Sequence, residues 1–540
     1  MKGMVVAPQP RAAEEGVLAL RRGGNAVDAA VAVAFVQGMV DPLNCGIGGL
    51  GWMHVHMAET GEDVIIDFCA RAGSRATPNM WSDHIIGPSP DGVGYILQDD
   101  VNELGYQAIG IPGAVRGLHH ALTRYGAGSW EEAVRPAIDL AREGYVIPAE
   151  LADDWRVTYA QGRPDALARF RRTAASAAVY TDSGGALLEG GDVLKNADLA
   201  RSLEQIAEEG PDAFYSGGIA DRLVADWEAN GGLITREDMA DFQAESQTPL
   251  LGTYRGYAVS DTPPPSGGVT LIEVLNILEG YDLAAMGHNS AGYIRVVSQA
   301  LKAGFADRAA FLGDPAFVDV PVEMLTSKEH AAAWRERIER GEKFDVGYDR
   351  SGSGGGTTHV SIVDEAGNCV SLTHTNGLCS GVVTPGLGFL QNNYMLAFDP
   401  VPGGPNSIAP GKKRVTGALP CIVFKDEKPF MVLGAPGGTR IISAVLQTIV
   451  NVIDHGMTAL EAVSAPRIDC QGGRIYAEGR IPAYVCDELA SRGFPVQRDT
   501  ASYGVYPTNA ARVHAIVLDD ARGGLSGGAD PRGYGVALAV

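Results

Sequence analysis

The amino-acid sequence predicts a mixed α/β fold of the α+β kind, built as one compact body. Helical and strand-like segments alternate along the chain and are separated by short Gly/Pro punctuation, and strand patterns become more frequent after residue 357. We find no internal repeat, no low-complexity tail and no obvious interdomain linker. With 45% hydrophobic and 20% charged residues, the 540-residue chain has the balance of a globular protein with a large core.

The first strong element is the Ala/Val-rich stretch over residues 26–40, which we predict to be a buried helix. Gly23-Gly24-Asn25 precedes it as a start signal, and Asp41-Pro42 ends it. The stretch is too short to span a bilayer and contains charged and polar residues. We therefore expect no membrane partner, and MKGMVVAPQP lacks the apolar run of a signal peptide.

The next segment, GIGGLG at Gly46–Gly51, matches the dinucleotide-binding pattern G-x-G-x-x-G. That pattern must follow a strand and open a helix, whereas this segment follows the predicted helix and leads into the alternating strand pattern of residues 52–56. We therefore reject a dehydrogenase with a dinucleotide cofactor. The glycines are better explained by close backbone packing beside an active site.

Further elements follow in order along the chain. Two helices are predicted over residues 110–145, more helix over 195–245, and a strand, a Pro/Gly turn and a helix over 255–300. Strands are predicted near residues 358–363, 369–375, 420–424, 429–433 and 513–518.

Charge and cysteine usage narrow the class of protein. The chain carries 65 acidic against 43 basic residues, a net charge of −22, which argues against nucleic acid and anionic membranes as partners. Seven scattered cysteines without CxxC indicate reduced thiols and a cytoplasmic protein, or a periplasmic one if a signal peptide has been removed. Without HExxH or a zinc-ligand set, we expect neither a metal nor another cofactor.

The segment that most clearly indicates a catalytic residue is SGSGGGTTHVSIVDEAGNCVSLTHT, residues 351–375. A threonine hydroxyl is a poor nucleophile near neutral pH and needs a base beside it. If the bond between Gly356 and Thr357 is cut, Thr357 carries its own base, because a free α-amine has a pKa near ~8. Gly354, Gly355 and Gly356 would let the peptide bond before Thr357 twist, so that the Thr357 hydroxyl can reach the carbonyl carbon of that bond.

The pattern around Thr357 predicts a β-hairpin. Residues 358–363 and 369–375 alternate polar and apolar, and Asp364–Asn368 supply turn chemistry between them. Thr375 lies on the second strand at a period-two position and is expected to present a hydroxyl to Thr357. From composition alone, a flexible Gly/Ser loop before a strand is the other interpretation of this tract.

Motifs along the whole chain resemble the γ-glutamyltranspeptidase family of N-terminal-nucleophile (Ntn) hydrolases. The matching segments are GGNAVDAAVAVAF, NCGIGGLGWM, PGAVRGLHHALTRYG, NGGLITREDMADF, YRGYAV with PPPSGG, ADRAAFLGDP, GGGTTHVSIVDEAGNCVSLTHT, LGAPGGTRI and AVSAPRID. The resemblance implies a four-layer αββα sandwich made from one self-cleaved precursor. It also implies a large subunit of residues 1–356 and a small subunit of residues 357–540, which begins with the nucleophile.

The resemblance assigns catalytic roles residue by residue. Thr357 matches the family's nucleophile, made by cleavage after Gly356, and Thr375 matches its second threonine, which hydrogen-bonds the nucleophile. Gly437 and Gly438 match the glycine pair whose amides form the oxyanion hole. Such donors contribute about 3 kcal/mol or more to the transition state.

The positions that hold a γ-glutamyl head group in the family differ in this chain. Where the family has an arginine this chain has Cys69, and where it has a polar residue followed by an aspartate this chain has Tyr394 and Ala397. The family's serine pair becomes Thr416-Gly417, and its asparagine falls on Gly377, next to Asn376. The substrate-binding candidates are therefore Cys69, Arg71, Asn376, Tyr394, Ala397, Thr416 and Gly417, with Arg71 or Arg75 as a displaced cation or a surface ion pair.

The resemblance thus implies a self-processing amidohydrolase or acyltransferase whose small-molecule amide or acyl substrate lacks the γ-glutamyl head. Relatives of this type include oxamate amidohydrolases, cephalosporin-type acylases and homologues that cleave an oxalyl C–C bond. A true γ-glutamyl transferase or glutathione hydrolase is the main alternative, and a catalytically inactive binding homologue is another. The expected partners are the two cleaved subunits, as a heterodimer or a larger assembly.

Overall fold

The computed structural model describes residues 3–89, 94–157, 162–342, 344, 346, 356–499, 511–519 and 524–540. Numbered in chain order, the strands are β1 (Met4–Ala7), β2 (Leu50–Met57), β3 (Glu62–Phe68), β4 (Ile85–Pro88), β5 (Tyr95–Leu97), β6 (Tyr145–Val146), β7 (Val193–Leu194), β8 (Glu245–Gln247), β9 (Leu250–Tyr254), β10 (Tyr257–Asp261), β11 (Thr358–Val363), β12 (Cys369–Thr375), β13 (Cys421–Lys425), β14 (Lys428–Gly434), β15 (Ile468–Asp469), β16 (Ile475–Ala477), β17 (Val496–Arg498), β18 (His514–Asp519), β19 (Gly524–Ala529) and β20 (Val536–Ala539).

The helices, numbered in the same way, are α1 (Pro10–Arg21), α2 (Ala26–Val40), α3 (Ala114–Tyr125), α4 (Trp130–Glu143), α5 (Ala149–Trp155), α6 (Ala166–Phe170), α7 (Ala174–Tyr180), α8 (Ala197–Glu209), α9 (Asp212–Tyr215), α10 (Gly218–Ala229), α11 (Arg236–Ala240), α12 (Gly268–Leu278), α13 (Leu283–Met286), α14 (Ala291–Phe311), α15 (Val322–Leu325), α16 (Lys328–Glu339), α17 (Arg440–Ile453), α18 (Ala459–Ser464) and α19 (Ala483–Ser491). Within the described ranges, no helix is both long and apolar enough to cross a membrane.

Two antiparallel sheets form the centre of the fold. The first has the strand order β20-β1-β11-β12-β2-β3-β8, and the second has the order β19-β18-β14-β13-β10-β9. Apolar side chains from both sheets, including Val6, Val363, Ile422, Val432 and Ile516, form one buried cluster between them. The inner faces of the two sheets therefore pack against each other.

Helices cover the outer face of each sheet. Val360 and Ile362 of β11 share a core with α1 to α4, whereas Val423 and Met431 of the second sheet share a core with α12, α14 and α17. The order of layers is therefore helix, sheet, sheet, helix, which confirms the predicted αββα sandwich. Alternation along β11 explains the arrangement, since Val360 and Ile362 face helices while Ser361 and Val363 face the second sheet.

Helix α2 occupies the predicted residues 26–40 and is buried along almost its whole length. Asn25 accepts hydrogen bonds from the backbone N–H groups of Val27 and Asp28, and the Asp28 carboxylate accepts one from the Asn25 N–H in return. This capping box satisfies donors that would otherwise be unpaired at the start of a buried helix. The glycine and asparagine signal in the sequence thus marked the boundary correctly.

The predicted hairpin of residues 358–375 is confirmed as β11 and β12. Thr358 pairs with His374, and Val363 pairs with Cys369. Asp364 closes the turn by accepting hydrogen bonds from the backbone N–H and the side-chain amide of Asn368. Because β11 lies between β1 and β12, strands from both sides of residue 357 share this sheet.

Candidate active site

Thr357 lies immediately before β11, at the end of the ladder that β11 forms with β12. The pairing of Thr358 with His374 carries Thr357 to a place beside Thr375, and the two hydroxyl oxygens are 3.2 Å apart. Thr375 is 6% exposed, while Thr357 is half-buried. The hairpin register therefore brings together the two threonines that the sequence predicted to meet.

The carbonyl oxygen of Gly356 is held by the same two hydroxyl groups. Thr375 donates to it at 2.5 Å, and the Thr357 hydroxyl also lies within hydrogen-bonding distance. The backbone N–H of Gly377 donates to Thr375 Oγ1 at 2.7 Å, so the Thr375 proton is directed toward the carbonyl. This contact polarises the carbonyl that Thr357 would attack.

Gly356 has a backbone conformation that favours glycine. Its φ is +93°, and a Cβ at this position would collide with the carbonyl oxygen of Gly377. The glycine is therefore required both by the turn and by the close approach of residue 377. Gly354 and Gly355, which we expected to help the peptide twist, lie outside the described residues.

We expect replacement of Thr375 by valine to slow self-cleavage about 10- to 100-fold. Valine keeps the shape but removes a hydrogen bond to an oxygen that becomes negatively charged, worth about 1.5–3 kcal/mol. The rate is measured on denaturing gels as freshly synthesised chain matures. Thr375→Ser should restore most of the rate, and cleavage of Thr375→Val at the wild-type rate would contradict this role.

Glycines of the GIGGLG segment pack directly behind Thr375, as the sequence predicted. A Cβ on Gly49 would collide with the carbonyl oxygen of Thr375, and a Cβ on Gly48 would collide with that of Leu390. Strand β2 begins at Leu50, next to β12. The segment therefore supports the hairpin and does not open a helix for a dinucleotide.

Gly437 and Gly438 lie in the connection between β14 and α17. Their φ values are +142° and +62°. Within the part of the chain that the structure describes, the N–H of neither glycine donates a hydrogen bond. The 14-residue helix α17 starts at Arg440, so these free donors lie beside the positive end of its dipole. Two free N–H donors are what the predicted oxyanion hole requires.

The packing of the two sheets brings this glycine pair toward Thr357. Gly434, at the end of β14, lies against the ring of His359. His359 is only two residues after Thr357. Ser371 of β12 donates to the carbonyl of Leu433 at 2.9 Å. Thr357 and the glycine pair therefore lie at neighbouring ends of facing strands.

Two of the predicted substrate positions, Cys69 and Tyr394, meet each other. The Cys69 sulfur and the Tyr394 hydroxyl are 3.2 Å apart, and both residues are buried. Burial raises the pKa of the Cys69 thiol to about 12, so it stays neutral and is no substitute for a cation. The Tyr394 hydroxyl thus brings together two of the positions that the sequence predicted to bind the substrate.

Thr416 and Gly417 adjoin the glycine pair. A Cβ on Gly417 would collide with the carbonyl oxygen of Gly438, and the Thr416 hydroxyl accepts a hydrogen bond from the N–H of Ala418 at 3.2 Å. The Thr416 carbonyl accepts a bond from Arg308 at 2.7 Å. The hydroxyl of this predicted substrate position is therefore engaged with the backbone two residues further along the chain.

The other candidate side chains have partners of their own. Arg71 is ion-paired with Glu245, and Arg75 is ion-paired with Glu228 at 2.7 Å. The Asn376 amide donates to the carbonyl of Pro42, and the Ala397 carbonyl accepts from Asn406. The structure thus gives both candidate cations the surface ion pairs that were their alternative interpretation.

Sequence reasoning missed Arg414, whose guanidinium carbon lies 4.7 Å from the centre of the Tyr394 ring. Its backbone N–H donates to the Tyr394 hydroxyl at 2.7 Å. The signal was the basic run Lys412–Arg414 just before Thr416. Lys413 in the same run is ion-paired with Asp67 at 2.7 Å and with Glu245 at 2.9 Å.

A separate cluster of Glu273, Asp307 and His330 has the ligand types and spacing for a metal ion. The His330 Nε2 atom is 2.6 Å from the Asp307 carboxylate and 3.6 Å from that of Glu273. Trp334 donates its indole N–H to Asp307 at 2.8 Å. The residues come from α12, α14 and α16, so their spacing in the sequence carries no motif. His330 and Asp307 are in short contact, and the Trp334 indole N–H also donates to Asp307. These contacts fit a network of hydrogen bonds that shares protons better than they fit a bound metal cation.

This network predicts a pH dependence of stability. The Glu273 carboxyl, followed by Asp307, raises the pKa of His330 from 6.5 to about 9, and burial raises that of Glu273 from 4.5 to about 8. Both groups therefore bind protons more tightly when folded, so their contribution is full at low pH. For Glu273 it is lost as pH rises from 4.5 through 8, and for His330 as pH rises from 6.5 through 9.

When the pH is raised from 6 to 9, we expect the thermal midpoint of unfolding to decrease by about 2–4 °C more in the wild type than in Glu273→Gln. The reason is that glutamine cannot ionise. Differential scanning fluorimetry across this range measures the difference. Glu329→Gln on the exposed side of α16 is the matched control and should follow the wild type. Parallel pH profiles for Glu273→Gln and the wild type would refute the buried titration.

Comparison with known proteins gives one consistent result. Residues 12–540 match the protein-family model described as gamma-glutamyltranspeptidase. The chain is 40% identical to an acylase ACY 1 proenzyme of Pseudomonas sp. (strain V22), over 100% of this chain and 94% of that protein. It is 38% identical to the glutathione hydrolase proenzyme of Escherichia coli (strain K12), over 87% of this chain and 81% of that protein.

Among solved structures, the cephalosporin acylase from Bacillus halodurans superposes with a TM-score of 0.84. The sequence identity is 27%, and the match covers 99% of this chain and 95% of that chain. The similarity therefore extends over both sheets and both helical layers.

Proposed function

This chain belongs to the gamma-glutamyltranspeptidase family of self-processing Ntn hydrolases, and from this premise we propose that Thr357 is its nucleophile. It is an enzyme that acts on amide bonds. In our proposal, cleavage after Gly356 produces a large subunit of residues 1–356 and a small subunit of residues 357–540. Since β1 and β11 pair across this boundary, the two subunits would stay together as a heterodimer.

Self-cleavage follows from the contacts around Gly356. The Thr357 hydroxyl oxygen attacks the Gly356 carbonyl carbon while Thr375 donates to the carbonyl oxygen. The acyl group moves from the Thr357 nitrogen to its hydroxyl oxygen, and water then hydrolyses the resulting ester. The products are the Gly356 carboxylate and a free α-amine on Thr357.

Turnover of an external amide reuses the same groups. The neutral α-amine of Thr357 takes the hydroxyl proton as the oxygen attacks the substrate carbonyl, and then passes a proton to the leaving amine. The N–H groups of Gly437 and Gly438 stabilise the oxyanion. The acyl-enzyme is then released to water or to an amine acceptor.

We propose that the acyl group lacks the γ-glutamyl head, and the contact between Cys69 and Tyr394 is the observation that carries this proposal. A neutral thiol and a buried phenol occupy positions where the family holds a zwitterion. A head group left unpaired there would lose charge-assisted bonds of about 1.5–3 kcal/mol each. Oxamate, glutaryl amides, other N-acyl amides and oxalyl-type substrates fit this class, and the 40% identity to an acylase supports it.

Glutathione hydrolysis or γ-glutamyl transfer is the second candidate. The 38% identity to the Escherichia coli glutathione hydrolase proenzyme favours it. It requires the glutamyl α-amino and α-carboxylate groups to bind through side chains other than those at Cys69, Tyr394 and Ala397.

Two measurements test the proposal. Mass spectrometry of the incubated protein should find a new N-terminus at Thr357, and a chain that stays uncut would indicate an inactive homologue. Initial rates on γ-glutamyl-p-nitroanilide, glutaryl-p-nitroanilide and oxamate then separate the substrate classes. We expect at least about tenfold higher kcat/KM for an amide without the glutamyl head. A kcat/KM on γ-glutamyl-p-nitroanilide as high as on the other amides would reject our interpretation of Cys69 and Tyr394.

A further inference from the structure

Arg414 is a half-buried cation without a carboxylate partner among the residues that the structure describes. Its Nη1 donates to the carbonyl of Val415 at 3.3 Å, and its buried Nε has no acceptor. Arg71, Arg75 and Lys413, the other basic residues around Cys69, are all ion-paired. A buried guanidinium N–H that lacks an acceptor is costly unless a ligand supplies one.

The position of Arg414 connects it to two of the predicted substrate positions, Tyr394 and Cys69. Its guanidinium lies over the Tyr394 ring, and the Tyr394 hydroxyl contacts Cys69. The positive charge is close enough to favour the ionised form of the Cys69 thiol, although burial outweighs it. Three residues further on, Gly417 packs against Gly438. The segment therefore runs from the predicted head-group site to the oxyanion glycines.

The carboxylates near Arg414 are already neutralised, which limits the kind of substrate group that can bind beside it. Asp67 is bound by Lys413, and Glu245 is bound by both Lys413 and Arg71. A substrate ammonium group would therefore find no unpaired carboxylate there among the described residues. A substrate carboxylate, in contrast, would find the unpaired N–H groups of Arg414.

We infer that Arg414 binds a carboxylate at the far end of the acyl group, so that the enzyme prefers half-amides of dicarboxylic acids such as glutaryl amides. This inference rests on the proposed amidohydrolase function and selects one class within it. The planar guanidinium presents paired N–H donors that match the two oxygens of a carboxylate. The cation would thus replace the arginine that the family places at Cys69, from a different segment of the chain.

The test compares glutaryl-p-nitroanilide with 4-carbamoylbutanoyl-p-nitroanilide, which has the same length but a neutral amide end. The wild type should show a kcat/KM ratio of about 10 to 100 in favour of the carboxylate, mostly through KM. Arg414→Gln should bring the ratio close to one, and Arg414→Lys should restore part of it. Arg116→Gln is the matched control, because Arg116 also stacks on a tyrosine ring, that of Tyr215, but is paired with Asp212.

Binding of free glutarate and of its diamide, followed by isothermal titration calorimetry, tests the same inference without turnover. Glutarate should bind the wild type about 10 to 100 times more tightly than it binds Arg414→Gln, while the diamide, which has no carboxylate, should bind both proteins equally. Equal losses for both ligands, or a wild type without preference, would overturn the role of Arg414. Turnover of no amide at all, with glutarate binding intact, would instead reject the proposed amidohydrolase.

Discussion

Replacing Thr357 by alanine is expected to leave the chain uncut and to lower amide turnover more than about 10³-fold. Alanine removes the hydroxyl oxygen that attacks Gly356, and without cleavage residue 357 also keeps its amine in a peptide bond. Both the nucleophile and its base are therefore lost in one substitution. Denaturing gels should show a single band, and a p-nitroanilide assay should show no release above background.

Thr357→Ser is the control, because it keeps the hydroxyl. We expect this variant to cleave itself and to retain measurable turnover, although its unbranched side chain is held less firmly beside Thr375. The hydrogen bond from the Thr375 hydroxyl to the Gly356 carbonyl oxygen should be unchanged in both variants. If Thr357→Ala still produced a new N-terminus at residue 357, another group would have to be the nucleophile.

Replacing Gly437 by alanine is expected to lower kcat on the best amide substrate by about 10² to 10³. The φ of +142° disfavours any residue with a Cβ, and this Cβ would collide with Ala511. The loop would have to shift, which would turn the N–H groups of residues 437 and 438 away from the oxyanion. Loss of one such donor typically costs about 2.7–4 kcal/mol.

Gly403→Ala is the matched control for the backbone effect. Gly403 also has a positive φ, of +96°, but no atom lies within 4 Å of the added Cβ. We expect it to lower thermal stability slightly and to leave kcat within about twofold, since strain of this kind costs about 1 kcal/mol. Equal kcat losses in the two variants would mean that the effect at Gly437 is general strain and not loss of the oxyanion hole.

The contact between Thr357 and Thr375 could be predicted because its geometry is local. Period-two alternation over residues 358–375 defines a hairpin, and the hairpin register alone brings Thr357 beside Thr375. Gly437 and Gly438 follow the strand that was predicted near residues 429–433, whereas the helix after them was not predicted. Local hydrogen bonding and side-chain alternation act over a few residues, so the sequence carries them directly.

The substrate half could be predicted only as a list of positions. Cys69 and Tyr394 are 325 residues apart, and their contact depends on how β3 and the segment after β12 pack together. From the sequence, Arg71 was a candidate cation for the substrate head group, but in the fold it is ion-paired with Glu245. Long-range packing decides which charged groups neutralise each other, and no periodic pattern records it.

The sequence by itself predicted the chemistry that we propose: the residues indicated the threonine that can become an N-terminus and its hydroxyl partner, and the resemblance to the family indicated the oxyanion glycines and the loss of the glutamyl anchors. Only the tertiary structure decided which cation is left without a partner. Arg71, Arg75 and Lys413 meet carboxylates from distant segments, whereas Arg414 stacks on Tyr394 and meets none among the described residues. The physical reason is that the meeting of Thr357 with Thr375 follows from adjacent strands of one hairpin, while charge compensation follows from contacts between residues far apart in the chain.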